Sequence, residues 1–92
     1  MRSTFLFVSS KSVIKLTVYG RTYCHLCDDM IASLRAMQVG NNFELEIIDV
    51  DSNPQLEAQY GELVPVLIGG DGELCHYHLD AAKVNEYLSK IG

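Results

Sequence analysis

Two cysteines, Cys24 and Cys27, stand three positions apart in "GRTYCHLCDDM", residues 20–30, where an apolar alternating run gives way to a helical pattern. A pair at this spacing has three chemical readings: a dithiol that closes as a disulfide, part of a metal clamp, or two small core residues. A thiol attacks as its thiolate, and a helix N-terminus favours that anion through unpaired backbone N–H groups and the helix dipole. Cys24, nearest the helix end, is therefore the expected nucleophile. Cys27, one turn further in and less exposed, is the expected resolving thiol. A protonated His25 and the nearby Arg21 favour the thiolate, whereas Asp28 and Asp29 oppose them. Zinc sites usually need four ligands, and structural cysteines need no placement at a helix start, so redox exchange ranks first.

The elements that must hold this pair follow from the pattern around it. "VIKLTVYG" alternates Ile14, Leu16 and Val18 against Lys15, Thr17 and Tyr19 and stops at Gly20, the signature of a strand. Leu26, Met30, Ile31, Leu34 and Met37 then recur at helical spacing, with Gly40-Asn41-Asn42 as the stop. "FELEIIDVD" alternates before turning apolar, which predicts a second strand leaving solvent for the core. Strand, helix, strand with short connections is a βαβ unit whose strands pair in parallel.

Beyond it, Asn53 is a candidate N-cap, Pro54 suits the first helical position and Gly61 ends a short helix. "VPVLI" predicts a buried strand, "GGDG" a hairpin turn and "ELCHYHL" an antiparallel partner. Asp80 can cap a last helix with Val84, Tyr87, Leu88 and Ile91 as its apolar stripe. The expected architecture is α/β, βαβ then αββα, with a four-stranded mixed sheet flanked by helices. Residues 1–12 are expected to be an N-terminal extension, frayed or adding a strand, and 13–92 the single domain.

Val64-Pro65 is the second chemical feature. An X-Pro bond at the start of a strand can be cis, and such a loop beside a dithiol presents backbone groups to an extended thiol or disulfide substrate. Tyr23, next to Cys24, is a candidate for the groove wall, whereas Tyr19 and Tyr60 suit packing.

Taken together these residues resemble the glutaredoxin branch of the thioredoxin-fold superfamily. "RTYCHLC" is similar to the "KTYCPYC" stretch of glutaredoxins, with Arg21 at the basic position, and the likeness runs from about Val13 to Ile91. It implies a thioredoxin fold and dithiol–disulfide exchange on protein or small-molecule disulfides. In that exchange Cys24 attacks, Cys27 resolves, and Arg21, Tyr23, His25, Leu26, Val64 and a cis Pro65 form the substrate groove. It further implies no bound cofactor, with glutathione or a thioredoxin-type reductant as electron donor. Leu26 stands where glutaredoxins often have Tyr, and Leu63 where Thr commonly precedes Val-Pro. "LCHYHLDA" lacks the Gly-Gly-x-Asp run that receives the γ-glutamyl group, which leaves Arg21 to meet a carboxylate and Asp80 an amine. The competing expectation is a non-enzymatic module of the same fold that holds a metal, an iron–sulfur cluster or a protein partner.

Composition narrows the partners. Seven basic against twelve acidic residues give a formal charge of -5 with no basic run, which disfavours nucleic acid. Apolar stretches are far shorter than the roughly 20 residues of a membrane-spanning helix. "MRSTFLFVSS" has too short an apolar segment for a secretory signal, so the cytoplasm is expected, and a monomer is the default for so small an acidic domain. The third cysteine, Cys75, leaves an odd number unsuited to a disulfide framework. Strand alternation would put Cys75, Tyr77 and Leu79 on one face and His76 and His78 on the other, so these residues are not expected to converge on a metal.

Overall fold

The computed structural model describes residues 14–70 and 72–91. The expected extension at residues 1–12 lies outside that range. In chain order the elements are β1 (Lys15–Gly20), α1 (His25–Met37), β2 (Glu44–Asp49), a 3-10 turn (Val50–Ser52), α2 (Pro54–Tyr60), β3 (Val66–Gly69), β4 (Gly72–His76) and α3 (Ala81–Ile91). The strands form one mixed sheet in the order β2-β1-β3-β4. β1 and β2 are parallel, with Val18 opposite Ile47, and β3 is antiparallel to both β1 and β4.

Alternation along β1 decides what lies on each face. Ile14, Leu16 and Val18 are buried and join Leu67 of β3, Met30 and Leu34 of α1, and Val84, Tyr87 and Leu88 of α3 in one core cluster. Helices α1 and α3 therefore share a face of the sheet. Tyr19 points the other way and stacks on Tyr60 of α2, ring centroids 4.4 Å apart at 15°, so α2 covers the opposite face. Leu16 and Leu34 are wholly buried, and truncating either to Ala costs about 2–5 kcal/mol in lost transfer energy and cavity.

Helix ends follow the expected local chemistry. Asn53 Oδ1 accepts from the Gln55 N–H at 2.8 Å with Pro54 opening α2, and Asp80 Oδ1 accepts from the Lys83 N–H at 3.1 Å at the start of α3. The 3-10 turn, which periodicity does not foresee, is held by Asp49 Oδ1 accepting from the Asp51 N–H at 2.9 Å. The side chain of Ile91 lies outside the described residues.

Three expectations need correction. Leu26 does not join the apolar stripe of α1: it sits in the first turn, beyond the sheet, and is exposed. The run "FELEIIDVD" reaches the core later than expected: β2 is an edge strand, Ile47 is 43% exposed and Ile48 half-buried, and only Val50, in the turn that follows, is fully buried. β4 ends at His76 rather than running on to Leu79, because Tyr77 adopts φ 66° and the His78 N–H returns to the His76 carbonyl at 2.7 Å. That i→i+2 bond makes a γ-type turn, and strand alternation stops there.

Candidate functional site

The end of β1 delivers the chain to the cysteines, and its neighbour β3 begins at the same level. Tyr19 pairs with Val66, so Gly20 on one strand and Pro65 on the next lie at one end of the sheet. The Val64–Pro65 peptide there is cis. Pro65 is buried, and Val64 is half-buried.

Cys24 is the N-cap of α1, with extended backbone at φ -122° and ψ 106°. Its Sγ accepts a hydrogen bond from the Cys27 N–H at 3.1 Å. A sulfur thus stands where an Asp or Ser oxygen commonly caps a helix, and the first turn's partial positive charge falls on it. The two cysteines are joined as a disulfide with Cα atoms 5.2 Å apart. They differ in access: Cys27 is 2% exposed, whereas Cys24 is half-buried. Cys27 fits so closely because residue 20 is glycine; a Cβ there would lie 3.2 Å from Cys27 Sγ.

The residues around the pair divide into exposed and engaged. Tyr23 is fully exposed with φ 56°, and His25 and Leu26 are exposed on the first turn of α1. Arg21, expected to meet a substrate carboxylate, is turned inward: its Nη2 donates to the Gly61 carbonyl at 3.2 Å and lies 3.4 Å from Glu57 and 3.8 Å from Asp51. Its charge is compensated within the chain. Asp80, the expected amine partner, is occupied as the cap of α3. The structure thus gathers Cys24, Cys27, Tyr23, His25, Leu26, Val64 and Pro65 at one end of the sheet, with Arg21 beneath them as a tie to α2.

Two shallow grooves flank the N-terminus of α1. One, beside β2, is lined by Gly20, Cys27, Ile31, Ile47 and Ile48 with Asp28 at its rim. The other runs between Leu26 and Met30 of α1 and Tyr77, His78 and Leu79 of the β4–α3 connection. Tyr77 is the residue that the sequence pattern misses. Strand alternation hides it, and "LCHYHLDA" holds no Gly, Pro or Asn to mark the turn.

Cys75 is free, packs against the core, and has its thiol pushed up chiefly by burial. His76 and His78 are exposed, and His76 Nδ1 lies 2.6 Å from Glu73 Oε2. Among the described residues no three His, Cys, Asp or Glu side chains are grouped so as to hold a metal ion. No helix among them is long and apolar enough to cross a membrane.

Residues 15–89 match the family model described as Glutaredoxin-like domain (DUF836). The chain is similar to a protein from Nitrosomonas europaea solved by NMR, with 51% identity over 82% of this chain and 91% of that one and a TM-score of 0.74. It is also similar to an X. campestris protein solved by X-ray methods, with 35% identity over 84% of this chain and 99% of that one and a TM-score of 0.63. Thioredoxin 1 of Thermosipho africanus shares the fold at 21% identity, covering 83% of this chain and 96% of its own, with a TM-score of 0.57. No curated protein matches the chain significantly.

Proposed function

This chain belongs to the glutaredoxin-like domain family, and from that membership and the capped sulfur of Cys24 we propose that it is a thiol–disulfide oxidoreductase acting on protein or small-molecule disulfides. One asymmetry supports the assignment of roles. Cys24 is reachable from solvent and receives the first-turn N–H, whereas Cys27 is sealed behind it.

In the reduced protein the Cys24 thiolate attacks one sulfur of the substrate disulfide. The substrate S–S bond breaks, its departing thiolate takes a proton, and a mixed disulfide joins the substrate to Cys24. Cys27, deprotonated, then attacks Cys24 Sγ and displaces the second substrate thiol. The substrate has gained two electrons and two protons, and the protein is left with the Cys24–Cys27 bond present in this structure. A glutathione- or thioredoxin-type thiol restores the dithiol by the reverse exchange, which suits a reducing compartment such as the cytoplasm. In this reading Tyr23, His25 and Leu26 bound the approach to Cys24, and Val64 and Pro65 offer backbone to the substrate chain. Arg21 secures the loop before Cys24 to α2 rather than meeting the substrate directly.

The test is a pair of single substitutions assayed with a protein disulfide. Cys24→Ser abolishes exchange, and Cys27→Ser retains the first attack and accumulates a covalent adduct on Cys24, visible by intact mass. An adduct formed through Cys27 instead, or turnover by Cys24→Ser, overturns the assignment.

A further inference from the structure

Tyr77 ties down the segment that precedes β3 from both ends. Its backbone N–H donates to the Pro65 carbonyl at 2.9 Å, and its phenol O–H donates to the Glu62 carbonyl at 3.0 Å. One side chain and its own amide thus clasp residues 62–65, a stretch 12 to 15 positions earlier in the chain. Burial does not account for the placement, since Tyr77 remains 42% exposed. Nor does local preference, because a bulky residue at φ 66° in the centre of a γ-type turn is disfavoured and glycine would suit the backbone better. A large side chain kept at such a position calls for a compensating interaction, and the two hydrogen bonds to residues 62–65 supply one beside the edge-on contact of the Tyr77 ring with His76, centroids 4.7 Å apart. Between the two tied carbonyls, among the described residues, neither the N–H nor the C=O of Val64 has a backbone partner. Backbone pairing within these residues therefore leaves both groups of Val64 uncommitted.

We propose that Tyr77 is a positioning residue that holds the 62–65 segment in register for disulfide substrates whose polypeptide continues past the reacting cysteine. The inference rests on the oxidoreductase reading for its substrates, though not for the clasp itself. A small disulfide needs only Cys24 and Cys27, so it is indifferent to Tyr77. An extended peptide disulfide uses the Val64 backbone as well and loses affinity when that backbone is freed to move.

The experiment compares wild type with Tyr77→Phe, which removes only the phenol hydrogen bond, and Tyr77→Gly, which also relieves the turn. Each is assayed on bis(2-hydroxyethyl) disulfide and on a ten-residue peptide carrying a mixed disulfide, and amide exchange is followed at Leu63 and Val64. The expected result for Tyr77→Phe is a rise in KM for the peptide of about threefold to tenfold, the worth of one net hydrogen bond, with kcat unchanged and the small disulfide unaffected. Exchange at Leu63, whose N–H donates to Tyr60 at 2.8 Å at the start of this segment, accelerates by a similar factor. Tyr77→Gly folds and shows at least as large a KM effect. Equal losses on both substrates, no loss on the peptide, or unchanged exchange at Leu63 overturns the role of Tyr77. Failure of wild type on both substrates would instead count against the redox reading, with the exchange rates still deciding the clasp.

Discussion

The Cys27 N–H lies 3.1 Å from Cys24 Sγ and donates to it, so the first sulfur of the pair caps the helix in which the second is buried. The electrostatics of a helix terminus and the covalent geometry of a disulfide are thereby placed on one atom. Both consequences are open to measurement.

After reduction, Cys24 is expected to be alkylated first. It is solvent-reachable and faces the first-turn N–H groups, whereas Cys27 is 2% exposed and the Cys75 thiol is pushed up by burial. Limited iodoacetamide labelling at mildly acidic pH, mapped by mass spectrometry, should give the order Cys24 before Cys75 and Cys27. Equal labelling of Cys24 and Cys75 would remove the support for an activated sulfur.

Stability of the oxidised protein is expected to fall on the alkaline side. Burial raises the folded Cys75 thiol above its ordinary 9.0, so over that interval the unfolded chain holds fewer protons than the folded one. The contribution is complete below the unfolded value and is lost as pH climbs through the folded one. Lys15, raised above 10.5 chiefly by its hydrogen bond to Glu46, acts in the same sense further up the scale. Urea midpoints at stepped pH should decline from near 9.0 upward, and the first part of that decline should flatten in Cys75→Ala. An identical slope in the variant would exclude the thiol as its source.

Gly20→Ala is expected to loosen the pair from below. The new methyl would sit 3.2 Å from Cys27 Sγ, and Cys27 is held on a helix with little room to retreat. A loss of about 1 kcal/mol is anticipated, read from denaturant melts, together with slower release of the mixed disulfide because the resolving sulfur is displaced. Unchanged stability and unchanged release would show that the contact is slack.

Gly69→Ala is expected to be more damaging. A Cβ at residue 69 would come within 2.8 Å of the Tyr87 ring, and Tyr87 is 6% exposed and hydrogen-bonded through its hydroxyl to the Gly70 N–H. The loss should be about 1–3 kcal/mol from overpacking. Tyr87→Phe alone should cost about 1 kcal/mol for the hydroxyl, and the double variant should be non-additive because the two sites share one contact. Simple additivity would mean that the ring does not transmit the clash.

Local features were the legible part of this chain. Alternation along residues 14–19 placed β1, and Asn53 with Pro54 and Asp80 marked two helix starts, because strand faces and caps depend on neighbours a few positions away. The same locality put Cys24 at a helix N-terminus, where its chemistry is set by the turn that follows. The exposure of Ile47 could not be read in the same way, since "EIID" gives no sign of whether its strand lies at the centre or the edge of a sheet.

By itself the sequence determined the order of the strands and α-helices and the place of the cysteine pair at a helix start, since both are written in spacings of two to four residues. Only the tertiary structure decided that Arg21 is neutralised by Glu57, 36 positions away, and that Tyr77 leaves its strand to clasp Glu62 and Pro65. Contacts between distant residues depend on how strands and helices pack, and a charge or a phenol takes whichever partner that packing brings within hydrogen-bonding distance.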